Sequence, residues 1–283
     1  MPASVKMPSR NGKEITLRQL ATHMSGLPRE ANNAAPERLD NKWSDYTVER
    51  LYAFLTGYTL TRDPGTEREY SNLGFGLLGH VLALKAGTNY ESLVEERICR
   101  PLGMDSSRIT LTPEEKARLA KGHAAFYEPV PSMDFQTLLG NGALRSTAND
   151  MLKFLAANLG LTRSSLTTPL EKTHEIQLEN QALGWGSMGS VLWKDGGSTG
   201  YRAFAGFDQK RRRGVVVLSN TTDEELDEVG VLLLSSEWQS EKRPVAVKIA
   251  PRIYDEYVGQ YRMKRDFGLG SIAVHDTGGW AGA

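Results

Sequence analysis

One cysteine, Cys99, stands alone among 283 residues, so no intrachain disulfide can staple the fold, and the compartment is left open. Charge of neither sign is in excess. The 34 basic residues face 34 acidic ones, which removes the global field that recruits nucleic acid or an anionic membrane. No apolar run approaches the roughly 20 residues that cross a bilayer as a helix, and residues 1–6 lack the apolar stretch of a signal peptide. The five histidines show no His-x-x-x-His or Cys/His spacing, so neither a metal nor a cofactor is expected. No Gly-Lys-Ser/Thr follows Gly74, Gly76 and Gly79, which excludes a phosphate loop.

What is present is a chain 40% apolar and 24% charged, long enough to bury a substantial core as one domain with an appendage. Residues 1–14 read as polar and irregular. Thr16 and Gln19 form a capping box that opens a short helix, with Ile15 placed to staple onto Leu20. Val48, Leu51, Tyr52 and Leu55 make the stripe of a helix over 47–55. Asp63-Pro64-Gly65 is a turn. The almost wholly apolar stretch 73–86 predicts a helix buried on all sides, its glycines letting neighbours approach. Further helices are expected over 90–100, from the capping box Thr112-Pro113-Glu114-Glu115, and from 146–150 onward; 120–142 reads as a connection. The period then changes. Residues 183–193 are Gly-rich and strand-like, 201–208 and 214–220 read as a hairpin joined by Gln209-Lys210-Arg211-Arg212-Arg213, and 222–238 as an amphipathic helix. Tyr257-Val258-Gly259-Gln260-Tyr261 reads as a first strand of an incomplete unit. Middle helices with a packed antiparallel hairpin make an α+β domain.

Two short strings carry chemistry. Tyr70-Ser71-Asn72 sits in a turn before a helix; Lys194-Asp195-Gly196-Gly197 sits at the mouth of a strand, 124 positions later (194 − 70). Four further stretches flank them in order: Ile15-Thr16-Leu17-Arg18-Gln19-Leu20 through Ser25-Gly26-Leu27-Pro28, residues 64–79, residues 97–104, and Gly142-Ala143-Leu144-Arg145-Ser146-Thr147-Ala148. Taken together, the chain from about residue 15 to 238 resembles the serine β-lactamase and penicillin-binding-protein family, whose relatives include class C β-lactamases, esterases and D-alanyl-D-alanine carboxypeptidases.

The resemblance implies a β-lactamase/transpeptidase-like fold: an antiparallel sheet with flanking helices and a helical subdomain. It implies a serine hydrolase working through an acyl-enzyme on a small ester, β-lactam or D-amino-acid peptide. Tyr70 would be the base or proton relay, since a hydroxyl nucleophile needs one, and Lys194 would favour its phenolate. Asn72 would orient side chains and bind the substrate amide. Gly196 and Gly197 would let the strand edge lie against substrate, with the Gly197 N–H as an oxyanion donor. Asp195 stands where penicillin-recognising relatives commonly carry Thr, which favours an esterase or peptidase variant. Relatives are often exported.

The family nucleophile is the Ser of a Ser-x-x-Lys motif, and no such pair occurs in the 283 residues. The expectation is a domain over 1–245 lacking N-terminal strands and its nucleophile helix, then an incomplete appendage over 246–283. Such a chain would be inactive alone and would expose a sheet edge for self-association. The alternatives are a non-catalytic protein that binds a ligand in the remnant cleft, or a substitute nucleophile among Ser25, Ser71 and Ser198. Taken singly, Tyr70 reads as a buried aromatic, Lys194-Asp195-Gly196-Gly197 as a surface turn, His23 as a hydrogen-bonded loop histidine, and the basic 210–213 string as a solvated hairpin tip.

Overall fold

The computed structural model describes residues 1–37, 41–124, 127–178, 180–223, 225–235, 259–262 and 271–274. Short polar side chains fix where its helices begin. Thr16, Thr47, Ser71, Asn89, Thr112 and Thr147 each accept a hydrogen bond from the backbone N–H three residues on. The first element is nonetheless a strand pair, β1 (Ser9–Arg10) and β2 (Lys13–Glu14). It turns through Asn11 and Gly12 at φ 49° and 72°, the conformation a tight hairpin requires, so residues 1–14 are not irregular throughout.

The helical layer follows: α1 (Leu17–Ala21), α2 (Val48–Gly57) and α3 (Asn72–Ala86). Leu20, Leu27, Trp43, Tyr46, Leu51, Leu55, Leu73, Leu77 and Leu138 form its core. α3 is not buried all round. Leu82 and Leu84 are exposed, while Leu73, Gly74, Gly76, Leu77, Gly79 and Ala83 face inward. The glycine stripe takes a short 3-10 turn, Leu139–Asn141, against the helix axis: Gly140 lies against Phe75 and Gly79.

α4 (Tyr90–Val94) runs through a π-helical stretch, Glu95–Cys99, into α5 (Arg100–Leu102), and Gly103 in the left-handed region ends it. Next come α6 (Pro113–Arg118), the strand pair β3 (Gly122–His123) and β4 (Pro129–Val130), α7 (Ala148–Asn158) and α8 (Thr167–Thr173).

Four strands make the sheet, in spatial order β5 (Gly186–Met188), β6 (Val191–Ser198), β7 (Tyr201–Asp208), β8 (Arg213–Ser219), all antiparallel. Alternation along β6 sends neighbours to opposite faces. Leu192 packs with Phe207, Trp185 and Leu155 of α7, whereas Val191 packs with Phe204 and with Val231 and Leu234 of α9 (Glu225–Leu234). The sheet is therefore covered on both faces. Lys194-Asp195-Gly196-Gly197 is part of β6 itself, not a turn at a strand mouth, because the Gly189-Ser190 turn starts that strand three residues earlier.

The chain divides into two compact units, Met1–Gln239 and Ser240–Ala283. In the second, β9 (Gly259–Arg262) pairs antiparallel with β10 (Ser271–Val274). Tyr257 and Val258 of the expected strand, and residues 236–238 of the expected last helix, lie outside the described residues.

Gly76 measures how tightly α3 is seated. A Cβ there would lie 2.7 Å from Leu138 Cβ and 3.1 Å from its Cα. Gly76→Ala is expected to lower stability by about 1–3 kcal/mol through overpacking, against its favourable helix propensity. Gly57→Ala, which meets no atom within 4 Å, should be neutral or slightly stabilising. Urea midpoints of the two variants check this.

Candidate active site

Tyr70 is set by two chain segments lying side by side. After the Gly65 turn (φ 89°), the Gly65 N–H bonds Met24 O at 2.7 Å and the Glu69 N–H bonds His23 O at 2.9 Å. Further along, the Ser71 N–H donates to Nδ1 of His23 at 3.0 Å, the Ser71 hydroxyl to Pro28 O at 2.7 Å, and the Leu73 N–H to Arg29 O at 3.1 Å. The loop after α1 thus holds the whole approach to α3. The Tyr70 ring lies over the His23 ring with centroids 4.3 Å apart, and His23 in turn contacts Phe75 at 4.7 Å.

His23 is buried, at φ 59°. Accepting at Nδ1 puts the ring proton on Nε2. Burial, then the positive charges of Lys194, Arg68 and Arg29, push its pKa down to about 3 from 6.5. It is a neutral spacer and hydrogen-bond acceptor, not a proton carrier near neutral pH.

Lys194 reaches the same ring from the sheet. Its Nζ lies 5.0 Å from the Tyr70 centroid, and Arg29 Cζ also lies 5.0 Å away. Both contacts suit the negative face of an aromatic ring. Asn72, the first residue of α3, lines the same cleft as Tyr70 and Lys194.

The register of β6 decides what its edge offers. The Gln209 N–H bonds Ser190 O at 3.3 Å, so even-numbered positions along β6 bond toward β7. Odd-numbered positions turn the other way, and β5 covers only Val191 to Trp193. The N–H and C=O of Asp195 and Gly197 therefore point out of the sheet at an open edge. Gly196 has free space where a Cβ would lie, and a Cβ on Gly197 would come within 2.9 Å of Arg202 Nη1.

Asp195 is already engaged. Its carboxylate lies 3.1 Å from Arg202 Nη2 and 3.9 Å from Lys194 Nζ. Arg202 Nε also bonds both carboxylate oxygens of Asp227 on α9, each at 3.1 Å. An Asp-Arg-Asp bridge thus ties the β6 edge to the helix behind it.

All six residues singled out in the sequence (Tyr70, Asn72, Lys194, Asp195, Gly196, Gly197) line one cleft of about 640 Å³, within the range of small-molecule sites. Sequence reasoning missed Arg29, Arg68, Tyr201 and Arg202, which line it too. Arg68 precedes Tyr70 by two in the irregular segment between the Gly65 turn and α3. Arg202 faces Gly197 across the two-residue Thr199-Gly200 turn. Of the substitute serines, Ser25 is buried with its Oγ accepting from the Leu27 N–H, and Ser71 is committed to Pro28 and Gly74. Only Ser198 of the three lines the cleft.

The His23 pKa gives a pH prediction. Protons bind the unfolded imidazole first, so its contribution is intact above pH 6.5 and erodes as pH falls toward about 3. Stability should drop by about 1.4 kcal/mol per pH unit in that window from this residue alone. In His23→Gln that component should vanish, which urea midpoints at pH 7, 6 and 5 measure as a flatter profile.

Comparison with known proteins gives one consistent picture. The model of the Beta-lactamase family matches residues 2–234. The D-alanyl-D-alanine-carboxypeptidase/endopeptidase AmpH of Escherichia coli K12 is 36% identical over 154 residues, 54% of this chain and 39% of that protein. The human putative beta-lactamase-like 1 is 38% identical over 147 residues, 52% of this chain and 28% of that protein. The aligned stretch thus spans less than half the length of either relative. Among solved structures, a beta-lactamase/D-alanine carboxypeptidase from Yersinia pestis complexed with citrate superposes with a TM-score of 0.67 at 25% identity, covering 81% of this chain and 72% of that one. A class C beta-lactamase at 24% identity shares the fold, with a TM-score of 0.66 over 82% of this chain and 72% of its own. With the family model matched over most of its length and the same α+β fold, the chain belongs to the beta-lactamase family.

Proposed function

We propose that this chain provides the substrate cleft of a serine hydrolase of the β-lactamase and D-alanyl-D-alanine peptidase type. The observation that carries the reading is the meeting of Lys194 and Tyr70, 124 positions apart (194 − 70), beside an open strand edge. Names of the relatives, a carboxypeptidase/endopeptidase and β-lactamases, support the same substrate classes. Tyr70 serves as the proton relay, with the Lys194 ammonium held over its ring. Asn72 at the start of α3 receives the substrate amide. The outward Gly197 N–H donates to the carbonyl oxygen as it gains charge. Asp195 acts through Arg202, steadying the strand edge, instead of touching substrate.

In a family acyl transfer the Ser Oγ bonds to the carbonyl carbon, and the C–N or C–O bond to the leaving group breaks. The serine proton passes through the base to the departing amine or alkoxide; that Ser comes from Ser-x-x-Lys. These 283 residues contain no such pair. The groups present support binding and charge stabilisation, so the second reading, ligand binding without turnover, describes this chain by itself. Incubation with a fluorescent penicillin and a fluorophosphonate should leave the intact mass unchanged. Calorimetry should still detect non-covalent penicillin binding, weakened by about tenfold in Lys194→Ala, the scale of one charge-assisted hydrogen bond. An adduct mapped to Ser198 would overturn the binding-only reading. Equal penicillin affinity in Lys194→Ala and the parent chain would overturn the cleft assignment.

A further inference from the structure

We propose that the cleft is built for a ligand with two anionic groups, one at the Lys194–Gly197 strand edge and a second at Arg68 on the Tyr70 wall. The inference rests on the reading that this cleft binds the ligand, and it narrows the substrate class to dicarboxylates. The second carboxylate would be one that the scissile group does not require.

Charge in the cleft is distributed unevenly. Its lining includes four cationic side chains, Arg29, Arg68, Lys194 and Arg202, and one acidic one, Asp195. That carboxylate belongs to the sheet side, shared between Arg202 and Lys194, and Asp227 supplies Arg202 with a second. Among the described residues no other acid lines the cleft. Glu69 beside Arg68 is drawn away into an ion pair with Arg62, and Glu67 is not part of the lining. Arg68 has no ion-pair or hydrogen-bond partner among the described residues and is exposed at the rim.

Arg29 and Lys194 each lie 5.0 Å from the Tyr70 ring centroid, and Arg68 lines the same cleft. With one lining carboxylate for four lining cations, an arriving anion meets an excess of positive charge in the cleft. The chemistry of the two ends differs as well. A guanidinium takes a carboxylate through paired N–H donors, whereas an ammonium beside an outward backbone N–H acts as a point charge with one directed donor. A ligand with a carboxylate at each end uses both; a monocarboxylate leaves one cationic end unmatched.

Isothermal titration calorimetry on the full chain tests this with dicarboxylates of five to seven carbons (glutarate, adipate, pimelate) and monocarboxylates of the same lengths. The expected result is at least about tenfold tighter binding of one dicarboxylate than of its monocarboxylate, one charge-assisted contact being worth that much. Arg68→Gln should collapse the difference, and Arg68→Lys should restore part of it. Lys210→Gln at the β7–β8 tip should change nothing. Equal binding of the two series, absence of binding by the dicarboxylates, or equal losses in Arg68→Gln and Lys210→Gln would each overturn the proposal. None of these probes carries a scissile bond. Selective dicarboxylate binding without penicillin binding would therefore sink the hydrolase reading alone, and the converse result would sink only the second anion site.

Discussion

The hydrogen bond from the Ser71 N–H to Nδ1 of His23 joins chain segments 48 positions apart and fixes where α3 begins. Tyr70 and Asn72 flank Ser71, so their place in the cleft depends on it directly. A buried neutral hydrogen bond contributes only about 1 kcal/mol net. Losing the acceptor costs more, because a buried N–H would be left without a partner. Its strength also requires a neutral imidazole, since a protonated Nδ1 cannot accept. Burial and three nearby cations enforce that neutrality, and so the charges that shape the cleft also protect the bond that positions it.

A second constraint works from the sheet. The β6 register turns the Asp195 and Gly197 backbone groups toward open space, and Arg202 then anchors that edge to α9 through Asp195 and Asp227. Acid at position 195 and arginine at 202 make sense only as a pair. Without Asp195, Arg202 would still bond Asp227 but would no longer tie α9 to the β6 edge. The guanidinium also lies over Gly197, within 2.9 Å of where a Cβ would stand.

Local signals in the sequence fared well where the physics is local. Thr16 and Thr112 cap the helices their spacing announces, and Thr47 and Thr147 cap two more, because a side-chain oxygen three residues ahead of a free N–H needs no distant partner. The short hairpin at Asn11-Gly12 and the helix at Thr167–Thr173 carry no such local signal: the first lacks flanking apolar alternation, the second a cap. The apolar stretch 73–86 concealed which side of α3 faces water, since hydrophobicity all round carries no directional information; the packing of Leu138 and Gly140 against its glycines decided that.

The chain's ancestry, its α+β class and the six motif residues of the cleft were determined by the sequence alone, because ordered short motifs and capping rules depend only on residue type and spacing. Tertiary structure decided the rest. It placed Lys194 over Tyr70, put the Lys-Asp-Gly-Gly string inside a strand, tied Asp195 to Arg202, and gathered Arg29 and Arg68 beside them. Those relations lie between residues far apart in the chain, and their energies come from burial and through-space charge, neither of which exists until the fold brings the segments together.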